Sequence, residues 1–216
     1  AAHKSDLFCE LICSNSLKAL RIESAAGLLK EEMRRLDSLL MRCADKCAVP
    51  AGGALAVNRD DFSAMVTKEI RNNPLIEVIE KEVTEIPNNA ITVIAAGPLA
   101  SEVLSAEIQK ICGGGLSFFD AAAPIVTAES IDMEKAFFAS RYDKGGDDAY
   151  INCPMNKDEY EAFYEALVSA ERTPLHGVDV QNPKVYEGCM PVEILAQRGH
   201  DTLRFGPMKP VGLRDP

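Results

Sequence analysis

The stretch ITVIAAG, residues 91–97, restricts the possible folds of this chain more than any other feature. It is a short and nearly all-apolar run that ends in a glycine, and an amphipathic helical pattern follows it from Val103 to Ile111. A continuous apolar strand that leads into a helix is typical of a sheet buried on both faces. Such sheets bind ligands at the carboxyl ends of their strands. The pattern therefore predicts an α/β fold with a ligand site near Gly97.

Length and composition restrict the class of protein. With 216 residues, of which 47% are hydrophobic and 26% charged, the chain can form one large domain or two small ones. No apolar run approaches the roughly 20 residues that cross a bilayer, so we expect no membrane partner. We find no basic-then-apolar leader and no initiator Met, and the chain resembles a piece of a longer polypeptide.

The cysteines indicate a reducing compartment. Their number, seven, is odd and their spacing is scattered, which favours reduced thiols in a cytoplasm. No C-x-x-C pair is present, and Cys43 and Cys47 lack the His or Cys partners of a zinc site. We therefore expect a cytoplasmic protein with no metal.

The net charge of −10 disfavours non-specific binding of nucleic acid. The most basic stretch begins at Arg198 and also contains Arg204, Lys209 and Arg214. A solvated surface is the ordinary interpretation of such a stretch, and a local nucleic-acid patch is the alternative.

Apolar periodicity predicts the helices. One helix is expected from Ser24 to Cys47, with Cys43 and Cys47 on its buried face. A second is expected to begin at Asp60 or Asp61 and to end near Asn72. A third should follow Asn156, with a buried stripe formed by Tyr160, Phe163, Tyr164, Leu167 and Val168.

The remaining segments are strand-like or mark boundaries. Exposed-face strands are expected around Ile76, Val78 and Val83, and short strands within 136–142 and 149–153. Gly113 to Gly115 is a flexible break and the predicted domain boundary.

Two cysteines have surroundings that favour reactivity. Cys189 lies in GCMP, where Pro191 suits the first turn of a short helix that ends near Gly199. A helix N-terminus lowers a thiol pKa, although a small buried hydrophobe is the commoner fate of a cysteine. Cys13 precedes the polar turn Ser14 to Ser16, which is not a core pattern. The three histidines, His3, His176 and His200, are interpreted as isolated surface or loop residues.

Nine segments of the sequence resemble those of a known family. The segments CSNSL, GLLKEEMRRL, PAGGALAVNRD, AAAPIVTAESIDM, SRYDKG, NCPM, EALVSAE, EGCMP and FGPMKPVGL together resemble the folate- and flavin-dependent tRNA (uracil-5-)-methyltransferases, within the glucose-inhibited-division-like flavoproteins. The resemblance runs over nearly the whole chain.

The resemblance implies a reaction and its site. Such enzymes transfer a one-carbon unit from methylenetetrahydrofolate, by way of FAD reduced by NAD(P)H, to C5 of the T-loop uridine of tRNA. It implies that Cys189 is the thiolate that adds to the uracil and that Cys13 acts beside the flavin. The reverse assignment of the two roles is the alternative. The implied flavin contacts are Ser14, Asn15, Ser16, Val83, Ala96 and Gly97.

The resemblance also implies a domain organisation. Members of the family begin with a glycine-rich FAD loop and continue beyond FGPMKPVGL, so missing parts of the same polypeptide are expected on both sides. The expected fold is α/β with an α+β insertion. It consists of a partial Rossmann-like FAD domain over 1–112, an inserted tRNA-facing substrate domain over 113–205 and a return segment over 206–216. The isolated chain is expected to have weak activity or none.

Two alternatives stay open. One is the sister flavoprotein that modifies the wobble uridine of tRNA with a GTPase partner. The other is a non-catalytic RNA-binding fragment in which the cysteines are structural. Thiol reactivity separates the second alternative from an enzyme, because a nucleophilic cysteine alkylates faster than a buried one such as Cys43.

Overall fold

The described residues of the computed structural model are 5–12, 14–97, 100–113, 126–140, 148–171, 191–205 and 208. They form two compact units and together contain both helices and strands. The first unit comprises residues from 1–78, 122–156 and 210–216, and the second comprises residues from 79–121 and 157–209. The predicted division at residues 112 and 205 stays a prediction.

A small antiparallel sheet lies at the centre of the first unit. Its strands are β1 (Ser16–Ala19), β2 (Ala48–Val49) and β3 (Ala54–Val57), in the order β1-β3-β2. The central strand β3 is the most buried, since the apolar side chains of Leu55, Ala56 and Val57 are all covered. Because this strand is buried, the turn before it and the start of the helix after it have defined positions.

Two helices replace the single helix that was predicted from Ser24 to Cys47. They are α1 (Ala25–Arg35) and α2 (Leu39–Lys46), so the prediction of one continuous helix is wrong. The break occurs at Asp37, whose φ of 54° is left-handed and cannot continue a right-handed helix. Asp tolerates this conformation better than most residues. The apolar period continues across the break, but Leu28 and Leu29 of α1 are exposed, whereas Met33 of α1 packs against the core that α2 helps to form.

The core of the first unit joins α2, β3 and α3 (Arg59–Arg71). Cys43 and Cys47 are buried in it, as predicted. The N-cap of α3 is Asn58 rather than Asp60 or Asp61, because the Asn58 side chain accepts from both of their backbone N–H groups. The predicted end of this helix at Asn72 is confirmed.

A two-stranded antiparallel hairpin completes the described part of the first unit. Its strands β4 (Phe137–Ala139) and β5 (Tyr150–Asn152) lie within the two predicted strand segments. The Tyr150 hydroxyl donates to the Ala51 carbonyl over 3.0 Å, which ties the hairpin to the turn before β3.

The second unit contains four helices among its described residues. They are α4 (Glu102–Cys112), α5 (Lys157–Ser169), α6 (Val192–Gln197) and α7 (Thr202–Phe205). All three predicted helical segments of this part are confirmed. Tyr160, Leu195, Ala196 and Leu203 form the core of α5, α6 and α7. Phe163 is 37% exposed, so its place in the buried stripe of α5 is a wrong prediction.

The apolar run 91–97 is not a strand, and the strands predicted near Ile76, Val78 and Val83 are also absent. Ile91 is 101% exposed and Val93 is 84% exposed. A strand needs a neighbour for its backbone N–H and C=O groups, and no described strand lies beside this run. The apolar composition is that of a strand, but a buried sheet around it is not present in the described residues. No helix in the described ranges is long and apolar enough to cross a membrane.

Candidate functional site

The two candidate catalytic cysteines, Cys13 and Cys189, lie outside the described residues. The structure does describe the segments beside them. Ser14 follows Cys13 directly in the first unit, and Pro191 follows Cys189 by two residues in the second unit. The candidate site is therefore described through the segments that flank the two cysteines.

The turn after Cys13 is fastened to the central strand through Asn15. The Asn15 side-chain amide donates to the Val57 carbonyl over 3.1 Å, and the Val57 N–H donates to the Asn15 carbonyl over 3.0 Å. Val57 itself is fully buried. This pair of bonds fixes the backbone directly after Ser14, so the turn has a defined place on the sheet.

The two serines of this turn bond locally. The Ser14 hydroxyl oxygen accepts from the Ser16 N–H, and the Ser16 hydroxyl oxygen accepts from the Lys18 N–H, each over 3.2 Å. Both serines are exposed. Each hydroxyl still has its own O–H to donate, so the turn presents hydrogen-bond donors next to Cys13.

The segment before Cys13 is held on α3. The Phe8 N–H donates to the Thr67 hydroxyl over 2.9 Å, and the Ser63 hydroxyl donates to the Cys9 carbonyl over 3.2 Å. Burial raises the pKa of the Cys9 thiol, which disfavours its thiolate. Cys13 thus stands in sequence between two anchored segments, and the raised pKa makes Cys9 a poor nucleophile.

Sequence reasoning missed Lys30, a buried lysine that bonds the last residue of β1. Its ammonium donates to the carbonyls of Ala19 and Ala26 over 3.1 and 3.0 Å, and only 7% of the residue is exposed. Burial, followed by the charges of Arg34 and Lys18, lowers the pKa of Lys30. The helical period did not indicate this burial, because Lys30 lies outside the apolar stripe of Leu28, Leu29 and Met33.

The implied flavin contacts Val83, Ala96 and Gly97 belong to the second unit, whereas Ser14 to Ser16 belong to the first. All three are exposed. Gly97 has a left-handed φ of 70°, and a Cβ placed on it would meet no atom within 4 Å. The backbone at Gly97 is therefore open to close approach, as a ligand-binding turn requires.

The segment after Cys189 leads directly into α6. The Pro191 carbonyl accepts from the N–H groups of Ile194 and Leu195, both over 3.1 Å, and so begins the helix as predicted. Leu195 is buried against α5. The Tyr164 hydroxyl of α5 donates to the Ala196 carbonyl over 3.1 Å. These contacts fasten α6, which starts three residues after Cys189, to the longer helix α5.

His200 is not isolated, although its predicted loop position is confirmed. It lies in the turn between α6 and α7, and its Nε2 is 2.7 Å from Glu161 Oε2 of α5. The hydrogen bond with Glu161 is the largest cause that raises the pKa of His200, and Asp201 adds to it. Glu161 is 39 residues away in sequence, so no spacing rule could have revealed this pair. His3 and His176 lie outside the described residues.

Comparison with known proteins identifies the family of this chain. The sequence profile described as glucose inhibited division protein A matches residues 1–216. The chain is 57% identical over 216 residues to the methylenetetrahydrofolate–tRNA-(uracil-5-)-methyltransferase TrmFO of Brevibacillus brevis, covering 100% of the chain and 48% of that relative.

Two further relatives with the same name agree. The protein of Desulfitobacterium hafniense is 60% identical over 215 residues, which are 99% of the chain and 48% of that relative. The protein of Acetivibrio thermocellus is 60% identical over 216 residues, which are 100% of the chain and 49% of that relative. The chain thus spans about half the length of these curated relatives. Because the profile matches its full length, the chain belongs to the glucose-inhibited division protein A family.

Proposed function

We propose that this chain is the central part of a folate- and FAD-dependent tRNA (uracil-5-)-methyltransferase. The observation that carries this proposal is the 57–60% identity, over essentially the whole chain, to relatives named for that activity. The matched length includes both cysteine segments. On this proposal, the polypeptide acts on tRNA, and its remaining parts supply the rest of the cofactor domain.

Cys189 is proposed as the nucleophile. Its thiolate adds to C6 of the uracil, and the displaced π electrons make C5 a carbanion equivalent that attacks the one-carbon unit. Once C5 has lost its proton, the C6–S bond breaks and the thiolate leaves. The anchoring of α6 on α5 supports this role, because a nucleophile needs a fixed approach to its target.

Cys13 is proposed to assist on the flavin side, for example by removing the proton from C5. The turn that follows it is fixed by the bonds between Asn15 and Val57, and this supports a positioned thiol. The exchange of roles between Cys13 and Cys189 is the alternative within the same proposal.

The backbone at Gly97 has room for a flavin to approach closely. Gly97 has a left-handed backbone with open space at its Cβ position, and Ala96 beside it is exposed. We propose Ala96, Gly97 and Val83 as residues that would contact FAD, and the turn Ser14 to Ser16 as a separate candidate for flavin contact. When bound, FAD reduced by NAD(P)H would supply the reducing equivalents for a carbon that methylenetetrahydrofolate provides.

The test is transfer of labelled carbon from methylenetetrahydrofolate to tRNA by the complete-length polypeptide, with FAD and NADPH or NADH present. We expect label at C5 of the T-loop uridine. Cys189→Ala and Cys13→Ala should each lower the rate by at least about a hundredfold, as loss of an essential catalytic group does.

Cys153→Ala is the matched control, because Cys153 is exposed and lies in neither cysteine segment. It should retain the parent rate. Absence of label with every cofactor supplied would overturn the proposal, and modification of the wobble uridine instead would assign the sister activity.

A further inference from the structure

We propose that the ammonium groups of Lys18 and Lys30 form a binding site for a phosphate group at the end of β1, within the first unit. The buried lysine carries this inference, because it lies among positive charges and pairs with no carboxylate in the described part of the chain. We call this pair the lysine site. The choice of molecule that presents the phosphate rests on the proposed function, whereas the site itself does not.

The Lys30 ammonium lies between the end of β1 and the first turn of α1. It donates to the carbonyl of Ala19, the last residue of β1, over 3.1 Å, and to the carbonyl of Ala26, the second residue of α1, over 3.0 Å. An ammonium has three N–H groups, so one is left for a further acceptor. Only 7% of Lys30 is exposed, and little water can reach this group. A bound oxygen ligand would satisfy it.

The electrostatics of this place are unfavourable for a cation. The N-terminal end of a helix is partially positive and attracts anions, and the first turn of α1 contains no acidic residue. Burial, followed by the charges of Arg34 and Lys18, lowers the pKa of Lys30. A buried charge is costly unless it is paired. A bound anion would therefore offset charges that the described residues leave uncompensated.

The carboxylates of this region do not balance the two lysines. Two ion pairs occupy the neighbouring groups of α1, namely Arg34 with Asp45 at 2.7 Å and Arg35 with Glu31 at 3.1 Å. The other two carboxylates between residues 16 and 35 are Glu23 and Glu32, which are exposed and form no ion pair within the described ranges. The positive charges of Lys18 and Lys30 thus remain available to a ligand.

An irregularity in β1 places Lys18 in this group. The register of β1 against β3 shifts between Ser16 and Ala19, and Lys18 has a left-handed φ of 68°. A shift of this kind re-aims a side chain, and a left-handed backbone is uncommon for a lysine. Lys18 is exposed, whereas Lys30 is buried. A ligand would therefore meet Lys18 on its solvent side and Lys30 on its protein side.

Phosphate is the anion that the lysine site suits. Lysine binds phosphate as a compact point charge with several N–H donors, and two such groups can share the oxygens of one phosphate. The exposed Ser16 hydroxyl, which accepts from the Lys18 N–H over 3.2 Å, adds an O–H donor beside them. On the proposed function, the polypeptide meets phosphate in the tRNA backbone and in the diphosphate of FAD. The experiment separates these two sources.

The experiment compares Lys30→Gln, Lys18→Gln and Lys68→Gln in the complete-length polypeptide. Lys68 is the matched control, because it is an exposed lysine of the same unit in the last turn of α3, where a cation suits the helix end. The probes are inorganic pyrophosphate, FAD and unmodified tRNA, and the dissociation constant of each is measured by calorimetric titration. The tRNA titration is repeated at several salt concentrations, and urea unfolding reports whether each variant is folded.

We expect Lys30→Gln and Lys18→Gln each to bind pyrophosphate about tenfold more weakly than the wild type, as the loss of a hydrogen bond to a charged group predicts. If tRNA presents the phosphate, tRNA binding weakens in both variants and the slope of log K against log salt concentration falls by about one. If FAD presents it, FAD binding weakens and the tRNA slope does not change. Lys68→Gln should match the wild type with every probe.

The lysine site is refuted if both variants bind all three probes as tightly as Lys68→Gln does. A Lys30→Gln variant that is less stable but keeps every affinity would also refute it, because Lys30 would then only tie β1 to α1. Should Lys30→Gln fail to fold, the exposed Lys18→Gln decides alone. A wild-type protein that binds pyrophosphate through these lysines but does not methylate tRNA contradicts the proposed function and not the site. The two failures are therefore distinguishable.

Discussion

Replacement of Gly27 by alanine tests how the first unit is packed. Gly27 is buried in the first turn of α1, and a Cβ on it would lie 1.8 Å from the carbonyl oxygen of Arg21. That oxygen is fixed, because it accepts from the N–H and the hydroxyl of Ser24 over 3.1 and 2.7 Å. Ordinary contact begins near 3.4 Å, so α1 would have to retreat by about 1.6 Å.

Two opposing effects decide the sign of this substitution. Alanine favours a helix over glycine by about 1 kcal/mol. Forcing side-chain atoms into a packed site costs about 1–3 kcal/mol, and loss of the Ser24 cap on the Gly27 N–H costs about 1 kcal/mol more. These terms sum to a net destabilisation of about 1–3 kcal/mol, and because the clash is with backbone and not with a flexible side chain, we expect the upper part of this range, about 2–3 kcal/mol.

The assay is pulse alkylation of the buried thiols Cys43 and Cys47, whose exposures of 2% and 6% make them reporters of opening in the first unit. A loss of 2–3 kcal/mol should speed their labelling by about 30- to 150-fold when opening equilibrates before labelling. Gly53→Ala is the control, since a Cβ there meets nothing within 4 Å. Equal labelling of Gly27→Ala and wild type would refute the packing of α1 on the Arg21 turn.

Three further predictions concern ionisable groups. Arg34 bonds Asp45 through two N–H groups and lowers the Asp45 pKa, so Asp45→Asn should cost about 0.5–1 kcal/mol at pH 7. The difference should vanish in urea titrations as the pH falls through the folded pKa of Asp45. Burial raises the pKa of Cys43, so at pH 8 iodoacetamide should label it at least about a hundredfold more slowly than exposed Cys153. The lowered pKa of Lys30 means that, in urea titrations, the stability of the wild type relative to Lys30→Met should rise with pH just below about 10.4.

The sequence predicted local elements well where the period and the packing agree. The helices around Phe62 and Tyr160 follow apolar stripes that also face a core, and the ends of the helix around Phe62 coincide with the caps Asn58 and Asn72. The break at Asp37 was missed because the apolar period continues on both sides of it. A single left-handed residue redirects the backbone without changing that period.

For the run 91–97 the local pattern predicted the wrong structure. Its composition is that of a buried strand, but strand formation depends on neighbours whose positions no local pattern specifies. The exposure of Ile91 and Val93 is the structural consequence.

The candidate site was predictable only as a list of cysteines and turns. Asn15 stands in a polar turn by its sequence, yet its bond to Val57 joins residues 42 apart. The pairing of His200 with Glu161 likewise depends on how α6 packs on α5. Contacts between distant segments follow from tertiary packing, so spacing in the sequence could name candidate residues but could not connect them.

The most direct test of the account is covalent capture of tRNA that contains 5-fluorouridine in its T loop. Fluorine at C5 cannot leave as a proton does, so an enzyme thiolate that has added to C6 stays attached once the carbon unit has been transferred. The complete-length polypeptide with FAD, reductant and methylenetetrahydrofolate should form this adduct, and peptide mapping should place it on Cys189. An adduct on Cys13 would exchange the two roles, and no adduct under conditions that bind the tRNA would contradict a nucleophilic methyltransferase.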